Sequence, residues 1–148
     1  MFPDNTPENT PAELGKLAAL PDGKKISPER LSGLSLAFIG DAVYEVYVRT
    51  LVLGKGDARV KTLHSKVTEY VNASFQAKAA DILAPMLTED ELGIYKRGRN
   101  AHSAHTPKNK TEAEYHKATG FEALVGYLWL KKDFDRLTQI FNTVTIRE

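Results

Sequence analysis

A long apolar segment that contains acidic side chains constrains the fold of this chain more than any other feature. Over residues 36–52, apolar side chains recur so closely that they cover most of the circumference of a helix with about 3.6 residues per turn. Such a helix is normally buried on more than one side. Asp41, Glu45 and Arg49 nevertheless cross it as a polar stripe, at every fourth position. We therefore expect a central, buried helix that must accommodate a carboxylate.

A second carboxylate, Glu122, lies on another helical segment that we expect to be mostly buried. On a helical wheel it shares a face with apolar and small residues, which leave room for a partner helix, a water or an ion. The residues of this face are Tyr115, Ala118, Thr119, Val125, Gly126 and Trp129. The chain thus carries two acids, Asp41 and Glu122, whose surroundings are unfavourable for a bare charge.

The two acids allow two interpretations. Close together and unpaired, the two carboxylates would repel each other and one would protonate. A divalent cation between them offsets this repulsion. Mg²⁺ fits, because it is usually held by one or two carboxylates together with waters and substrate phosphates. In the structural alternative, Arg49 pairs with Glu45, and each acid is bonded to its own base or backbone amide. The spacing leaves both possibilities open.

Composition narrows the class of protein without identifying a function. The 148 residues suffice for one domain, and 42% apolar with 26% charged residues is ordinary for a globular chain. The absence of cysteine excludes disulfides and thiolate metal sites, and it favours an intracellular location. No apolar run reaches the roughly 18 residues of a membrane span, and the polar, acidic start is not a secretory signal. The net charge of +1 indicates no partner by itself.

The apolar periodicity predicts an all-α domain of about six or seven helices. Residues 1–27, rich in proline, are interpreted as a loose tail with one short helix over residues 12–20. Residues 28–148 form the predicted domain. Thr88 with Glu91 and Thr111 with Glu114 are capping boxes, and Asp133 is a further cap. The predicted helices cover residues 34–52, 58–71, 73–83, 89–97 and 111–131, with a last helix after Asp133.

A basic stretch follows the fourth predicted helix. Residues 98–110 are polar and show no hydrophobic periodicity, which is typical of a loop. Groups suited to bind phosphate oxygens lie in this loop and just before it. They are Lys96, Arg97, Arg99, Asn100, Lys108 and Lys110. Few aromatic residues lie among them, so contact with the backbone of a duplex fits better than stacking on single-stranded bases. The alternative is a solvated loop without a ligand.

Three motifs resemble a known family. Residues 36–43 (LAFIGDAV) resemble the LEFLGDAV stretch of the ribonuclease III catalytic domain, and residues 121–126 (FEALVG) resemble its second acidic motif. Residues 96–101 (KRGRNA), with 107–109 (PKN) after them, are similar to Mini-ribonuclease III, a small bacterial branch that lacks the double-stranded-RNA-binding domain. The resemblance runs from about Leu31 to the C-terminus.

The resemblance implies a ribonuclease III-type fold and a Mg²⁺-dependent endoribonuclease that cleaves double-stranded RNA as a homodimer. It implies 5′-phosphate and 3′-hydroxyl ends, with Asp41 and Glu122 as catalytic metal ligands and the six basic-stretch residues named above as RNA-binding groups. The helix of Asp41 would lie at or near the dimer contact. The implied substrate is the large-subunit (23S) ribosomal RNA precursor in the cytoplasm. No membrane and no small-molecule cofactor are expected.

The chain departs from full-length ribonuclease III at three positions. Leu34, Ala37 and Thr119 stand where the larger enzyme has acids, so only Asp41 and Glu122 remain. Mini-ribonuclease III shares these departures, which leave the number of metal ions open. They also motivate two alternatives: a non-catalytic RNA-binding or ribosome-associated module on a nuclease fold, and a helical protein-interaction domain with structural acids.

Overall fold

The fold is entirely helical over the residues described by the computed structural model, which are 15–17, 19–101 and 112–145. This confirms the all-α prediction. The α-helices are α1 (Gly33–Gly54), α2 (Val60–Val71), α3 (Ala73–Leu83), α4 (Glu89–Arg99), α5 (Glu112–Leu130) and α6 (Phe134–Thr145), and short 3₁₀ helices cover Pro28–Arg30 and Ala84–Met86. Among the described residues, no helix is both long enough and apolar enough to cross a membrane.

Helices α1 and α5 form the centre of the molecule. α5 packs against α1, α3 and α4, while α2 lies on α1 and α6 contacts α3 and α5. Tyr44 and Val48 of α1 are fully buried, as are Phe121 and Val125 of α5. The Tyr44 ring meets the edge of the Phe121 ring with centroids 5.0 Å apart. Because α5 is surrounded by three helices, its side chains are held in a rigid environment.

Two glycines let α1 and α5 cross with their backbones in contact. A Cβ atom on Gly40 would overlap the carbonyl group of Glu122, and one on Gly126 would overlap the carbonyl group of Leu36. Any larger residue at either position would therefore force the helices apart. Asp41 directly follows the first of these glycines, so the close crossing brings it near the start of the Glu122 side chain.

The helix ends follow the capping signals at several positions. The capping box of Thr88 and Glu91 is present, with the Glu91 N–H donating to Thr88 Oγ1 over 3.2 Å and the Thr88 N–H donating to Glu91 Oε1 over 2.9 Å. Asp133 accepts the Arg136 N–H over 3.2 Å at the start of α6. Ser32 caps α1 by accepting the Ser35 N–H, a cap that the sequence pattern did not single out.

Several predicted boundaries are off by one or two residues; α1, for example, ends at Gly54 rather than at 52. α4 continues through Arg99, so the first two residues of the predicted 98–110 loop are helical. α2 begins at Val60 rather than at 58, because Asp57 bonds the N–H of Ala58 in a turn that precedes the helix. Residues 102–111, with Thr111 of the second predicted capping box, lie outside the described residues. Of the predicted short helix at 12–20, only residues 15–17 are described as helical.

The predicted central helix α1 packs against α2, α4 and α5, but part of its apolar circumference is exposed in the single chain. Phe38 is 77% exposed, Val46 is 67% exposed and Leu53 is 55% exposed. Asp41 is exposed as well, on the same side of the helix. The apolar circumference of α1 therefore consists of a buried face toward α5 and a solvent-facing apolar stripe.

Candidate active site

Asp41 and Glu122 line the same cavity, of about 480 Å³, at the crossing of α1 and α5. Asp41 projects from α1 and is exposed, whereas Glu122 projects from α5 and is partly buried. The other lining residues are Leu34, Ala37, Phe38, Ile39 and Ala42 of α1, and Tyr115 and Thr119 of α5. The cavity thus combines an apolar wall with two carboxylates that come from different helices.

The Glu122 carboxyl group is stabilised in its neutral form. Burial is the main cause, and together with a hydrogen bond to Asp41 and the charge interaction with Asp41 it raises the pKa of Glu122 to about 9. At neutral pH the Glu122 carboxyl group is therefore protonated.

The alternative of separate ion pairs holds for Glu45 and Arg49 of the polar stripe on α1, but not for Asp41 and Glu122. Arg49 pairs with Glu45, with 2.9 Å between Nη2 and Oε1. Within the described part of the chain, no lysine or arginine forms an ion pair with Asp41 or Glu122. Glu45 and Arg49 are thus a surface pair, and neither Asp41 nor Glu122 is neutralised by a base from the described ranges.

This donor set fits a hard divalent cation. Two adjacent carboxyl groups that need a proton to coexist would bind such a cation in place of that proton. Among residues 15–17, 19–101 and 112–145, no group of three or more His, Asp or Glu side chains is arranged to hold a metal ion. Asp41 and Glu122 would therefore supply two ligands, and waters or phosphate oxygens would supply the others.

The raised pKa of Glu122 makes the stability of the metal-free protein depend on pH. Because the folded value of about 9 lies above the reference value of 4.5, stability is fully present below pH 4.5 and decreases as the pH rises toward 9. Glu122→Gln removes this dependence. In a chelator, we expect the Tm of the variant to exceed that of the wild type by about 5 °C or more at pH 9, and by much less at pH 5. A Tm difference that does not change with pH would contradict the assignment.

The basic residues near the end of α4 do not share one environment. Arg97 Nη1 donates to the carbonyl oxygens of Glu29 and Leu31, over 2.8 and 3.1 Å, and so ties the chain before α1 to α4. The Arg99 guanidinium lies over the Tyr95 ring, 5.7 Å from its centroid. Lys96 and Asn100 are exposed. Lys108 and Lys110 lie outside the described residues.

A second cavity, of about 410 Å³, brings part of the basic stretch together. Arg99, Asn100, Ala113, His116 and Lys117 line it. Ala113 and Lys117 lie about half a turn of α5 away from Tyr115 and Thr119, so this cavity and the carboxylates are on different sides of one helix. Lys117 also pairs with Asp81 of α3 over 2.9 Å. The cationic cavity and the acidic cavity are separated by the width of α5.

Residues 34–133, which include both carboxylates and the end of α4, match the Ribonuclease III domain family. The chain belongs to the ribonuclease III family. The Mini-ribonuclease 3 of Symbiobacterium thermophilum is 46% identical over 114 residues, covering 77% of this chain and 88% of that relative. The Mini-ribonuclease 3 of Enterococcus faecalis is 44% identical over 116 residues, and the match covers 77% of this chain and 88% of that relative.

A solved structure agrees with these matches. The crystal structure of a protein from Fusobacterium nucleatum has a TM-score of 0.71 and 35% identity, and the match covers 78% of this chain and 92% of that one. The resemblance to Mini-ribonuclease III is confirmed, and so is the ribonuclease III-type all-α fold. As a member of this family of ribonucleases, the chain is an endoribonuclease, so the two non-enzymatic interpretations are set aside.

Proposed function

We propose that residues 28–148 form a Mg²⁺-dependent endoribonuclease domain that cleaves double-stranded RNA at the cavity of Asp41 and Glu122. The observation that carries the proposal is that Asp41 of α1 and Glu122 of α5 line one cavity. Burial, with a smaller contribution from Asp41, raises the pKa of Glu122 to about 9 there. Two acids held together by the crossing of α1 and α5 are suited to bind one divalent cation. The proposed substrate is the large-subunit ribosomal RNA precursor in the cytoplasm, which is what the resemblance of the sequence motifs to Mini-ribonuclease III implies.

The reaction proposed is hydrolysis of a phosphodiester by in-line attack. The oxygen of water bonds to phosphorus, the bond to the 3′ oxygen breaks, and a proton completes the 3′-hydroxyl while the phosphate stays on the 5′ end. When bound, Mg²⁺ would offset the negative charge that develops on the phosphate. Asp41 and Glu122 would be the two protein ligands, and Glu122 would release its proton when the cation binds.

The same proposal assigns RNA-backbone contacts to the basic residues of the sequence motif. Lys96, Arg99, Asn100, Lys108 and Lys110 would bind phosphate or sugar oxygens. Arg97 would take part through its remaining N–H groups, since a guanidinium has five donors and Nη1 serves the carbonyl oxygens before α1. Arg99 and Asn100 line the cationic cavity beside α5, which supports an RNA contact for these two residues in particular.

Arg99→Ala is expected to weaken RNA binding without changing the chemical step. Loss of one phosphate contact should raise the Kd several-fold and reduce the slope of log K against log salt by about 0.7 to 0.9. Titration of a labelled duplex at several salt concentrations measures both. Arg59→Ala is the matched control, because Arg59 is exposed and lines neither cavity. An unchanged salt slope in Arg99→Ala would remove this residue from the RNA contact.

We further propose that the solvent-facing apolar stripe of α1 is the contact with a second copy of the chain. The stripe consists of Leu34, Phe38, Ala42, Val46 and Leu53. Exposed apolar side chains that follow one helix face mark an interaction surface. Leu34, Phe38 and Ala42 also line the carboxylate cavity, so the dimer contact would adjoin the active site.

Phe38→Glu is expected to turn the dimer into a monomer, because it introduces a charge at the most exposed apolar position of the stripe. Light scattering after size-exclusion chromatography measures the mass. Leu17→Glu is the matched control, because Leu17 is 75% exposed but is not on α1, and it should leave the mass unchanged. A wild-type mass of about 16 kDa would contradict the dimer.

A cleavage assay tests the proposed function directly. An end-labelled RNA duplex is incubated with the purified protein in Mg²⁺ or in a chelator, beside the same RNA single strand and a DNA duplex of the same sequence. The proposal expects cleavage of the RNA duplex in Mg²⁺ alone, with 5′-phosphate ends. Equal cleavage in the chelator, or preference for the single strand, would overturn it. A ribosomal precursor with both ends of the large-subunit RNA then tests the substrate.

A further inference from the structure

Tyr115 stands in the carboxylate cavity but has no part in the mechanism described above. It lies on α5, seven residues before Glu122 and four before Thr119, so the three side chains share one face of the helix. All three line the same cavity together with Asp41. The Tyr115 side chain is therefore half-buried at the substrate side of α5 rather than in the core.

The phenol hydroxyl of Tyr115 differs from those of the core tyrosines. Tyr44 donates to the carbonyl oxygen of Tyr70 over 2.8 Å, and Tyr47 is hydrogen-bonded to Thr145 Oγ1 over 2.9 Å. Across residues 15–17, 19–101 and 112–145, no group hydrogen-bonds the Tyr115 hydroxyl. The bond that Thr119 Oγ1 makes is to the carbonyl oxygen of Tyr115, over 3.0 Å, and not to the phenol. A half-buried phenol usually has a partner, so this one is available to a ligand in the cavity.

The position of Tyr115 along α5 limits what it can reach. Seven residues of α-helix span roughly 10 Å, and long helical side chains lean toward the N-terminus of their helix. The Tyr115 hydroxyl therefore lies beyond the two carboxyl groups and not between them. An RNA strand with its reacting phosphate at Asp41 and Glu122 would bring a neighbouring nucleotide, rather than the reacting one, to Tyr115.

We propose that Tyr115 is a substrate-contacting residue whose hydroxyl hydrogen-bonds the sugar–phosphate backbone of a nucleotide adjacent to the cleaved bond. The inference rests on the proposed cleavage of double-stranded RNA at this cavity. Two groups of such a nucleotide match a phenol: a phosphate oxygen, which accepts, and the ribose 2′-hydroxyl, which both donates and accepts. Either contact fixes the strand relative to the carboxylates.

Tyr115→Phe tests the contact, since it removes one oxygen and keeps the buried ring. With the RNA duplex and Mg²⁺, kcat/KM is expected to fall about tenfold while the Tm stays within about 1 °C of wild type. Tyr127→Phe is the matched control, because Tyr127 lies on the same helix but lines a different cavity, and its kcat/KM should be unchanged. A Tyr115→Phe variant that cleaves like an active wild type overturns this inference alone. A wild type that cleaves no duplex overturns the proposed function and this contact with it.

Duplexes with a single 2′-deoxynucleotide on either side of the cleaved bond distinguish the two groups. The 2′-deoxy change and Tyr115→Phe are measured singly and together. If each reduces kcat/KM, and combining them reduces kcat/KM no more than either change alone, the contact is with the 2′-hydroxyl. If Tyr115→Phe keeps its full effect on every 2′-deoxy duplex, the contact is with phosphate.

Discussion

Replacing Asp41 by asparagine is expected to reduce cleavage of an RNA duplex by more than about a thousandfold. Asparagine keeps the size of the side chain but removes the charge that a divalent cation needs. Because Asp41 is exposed, the variant should remain folded. RNA affinity should be nearly unchanged, because the proposed backbone contacts lie on other residues. The effect should therefore appear in kcat at saturating RNA.

Glu45→Gln is the matched control for this variant. Glu45 lies one turn further along the same helix, carries the same charge and pairs with Arg49. Its loss removes a surface ion pair worth at most about 1 kcal/mol, and cleavage should remain close to that of the wild type. Single-turnover cleavage, the Tm and the duplex Kd are measured for all three proteins. Cleavage by Asp41→Asn within tenfold of the wild type would show that the metal assignment is wrong.

Gly40→Ala is expected to cause the largest loss of stability of any glycine-to-alanine substitution in the chain. The new Cβ would occupy the place of the Glu122 carbonyl group, so α1 and α5 would have to separate. Overpacking of this kind costs about 3 kcal/mol or more, which corresponds to a Tm decrease of roughly 10 °C. Cleavage should fall too, because the same contact sets the spacing of the two carboxyl groups. Thermal unfolding and single-turnover cleavage measure the two effects.

Gly93→Ala provides the comparison. Gly93 is an exposed helical glycine of α4, and no atom lies within 4 Å of the position its Cβ would take. This variant should be as stable as the wild type or up to about 1 kcal/mol more stable, because alanine restricts the unfolded chain. Equal Tm values for Gly40→Ala and the wild type would show that the helices do not cross in backbone contact.

The sequence predicted those parts of the fold that depend on neighbouring residues. The capping box of Thr88 and Glu91 and the cap at Asp133 are local hydrogen bonds, so their residues identify them. The helical wheel likewise showed that Glu122 shares a face with small residues such as Gly126. It could not show which helix would lie against that face, because the contact with Leu36 joins residues far apart in sequence.

Two features could not be read from the pattern, for different physical reasons. An apolar helix circumference shows that α1 avoids water, but it does not distinguish burial in its own chain from burial against another molecule, and Phe38 is exposed here. Arg97 belongs to a basic stretch, which suggests a phosphate ligand. Its Nη1 instead binds the carbonyl oxygens of Glu29 and Leu31, and no local signal marks backbone groups more than sixty residues away as its partners.

The glycine crossing of α1 and α5 has a consequence for how such an enzyme can diversify. The separation of the Asp41 and Glu122 carboxyl groups is set by two helices whose backbones touch at Gly40 and Gly126, so a change in that separation would have to move a whole helix. Altered preference for a metal or a substrate is therefore accessible at the periphery, through Tyr115 or the end of α4, while the acidic pair itself can be lost but not retuned.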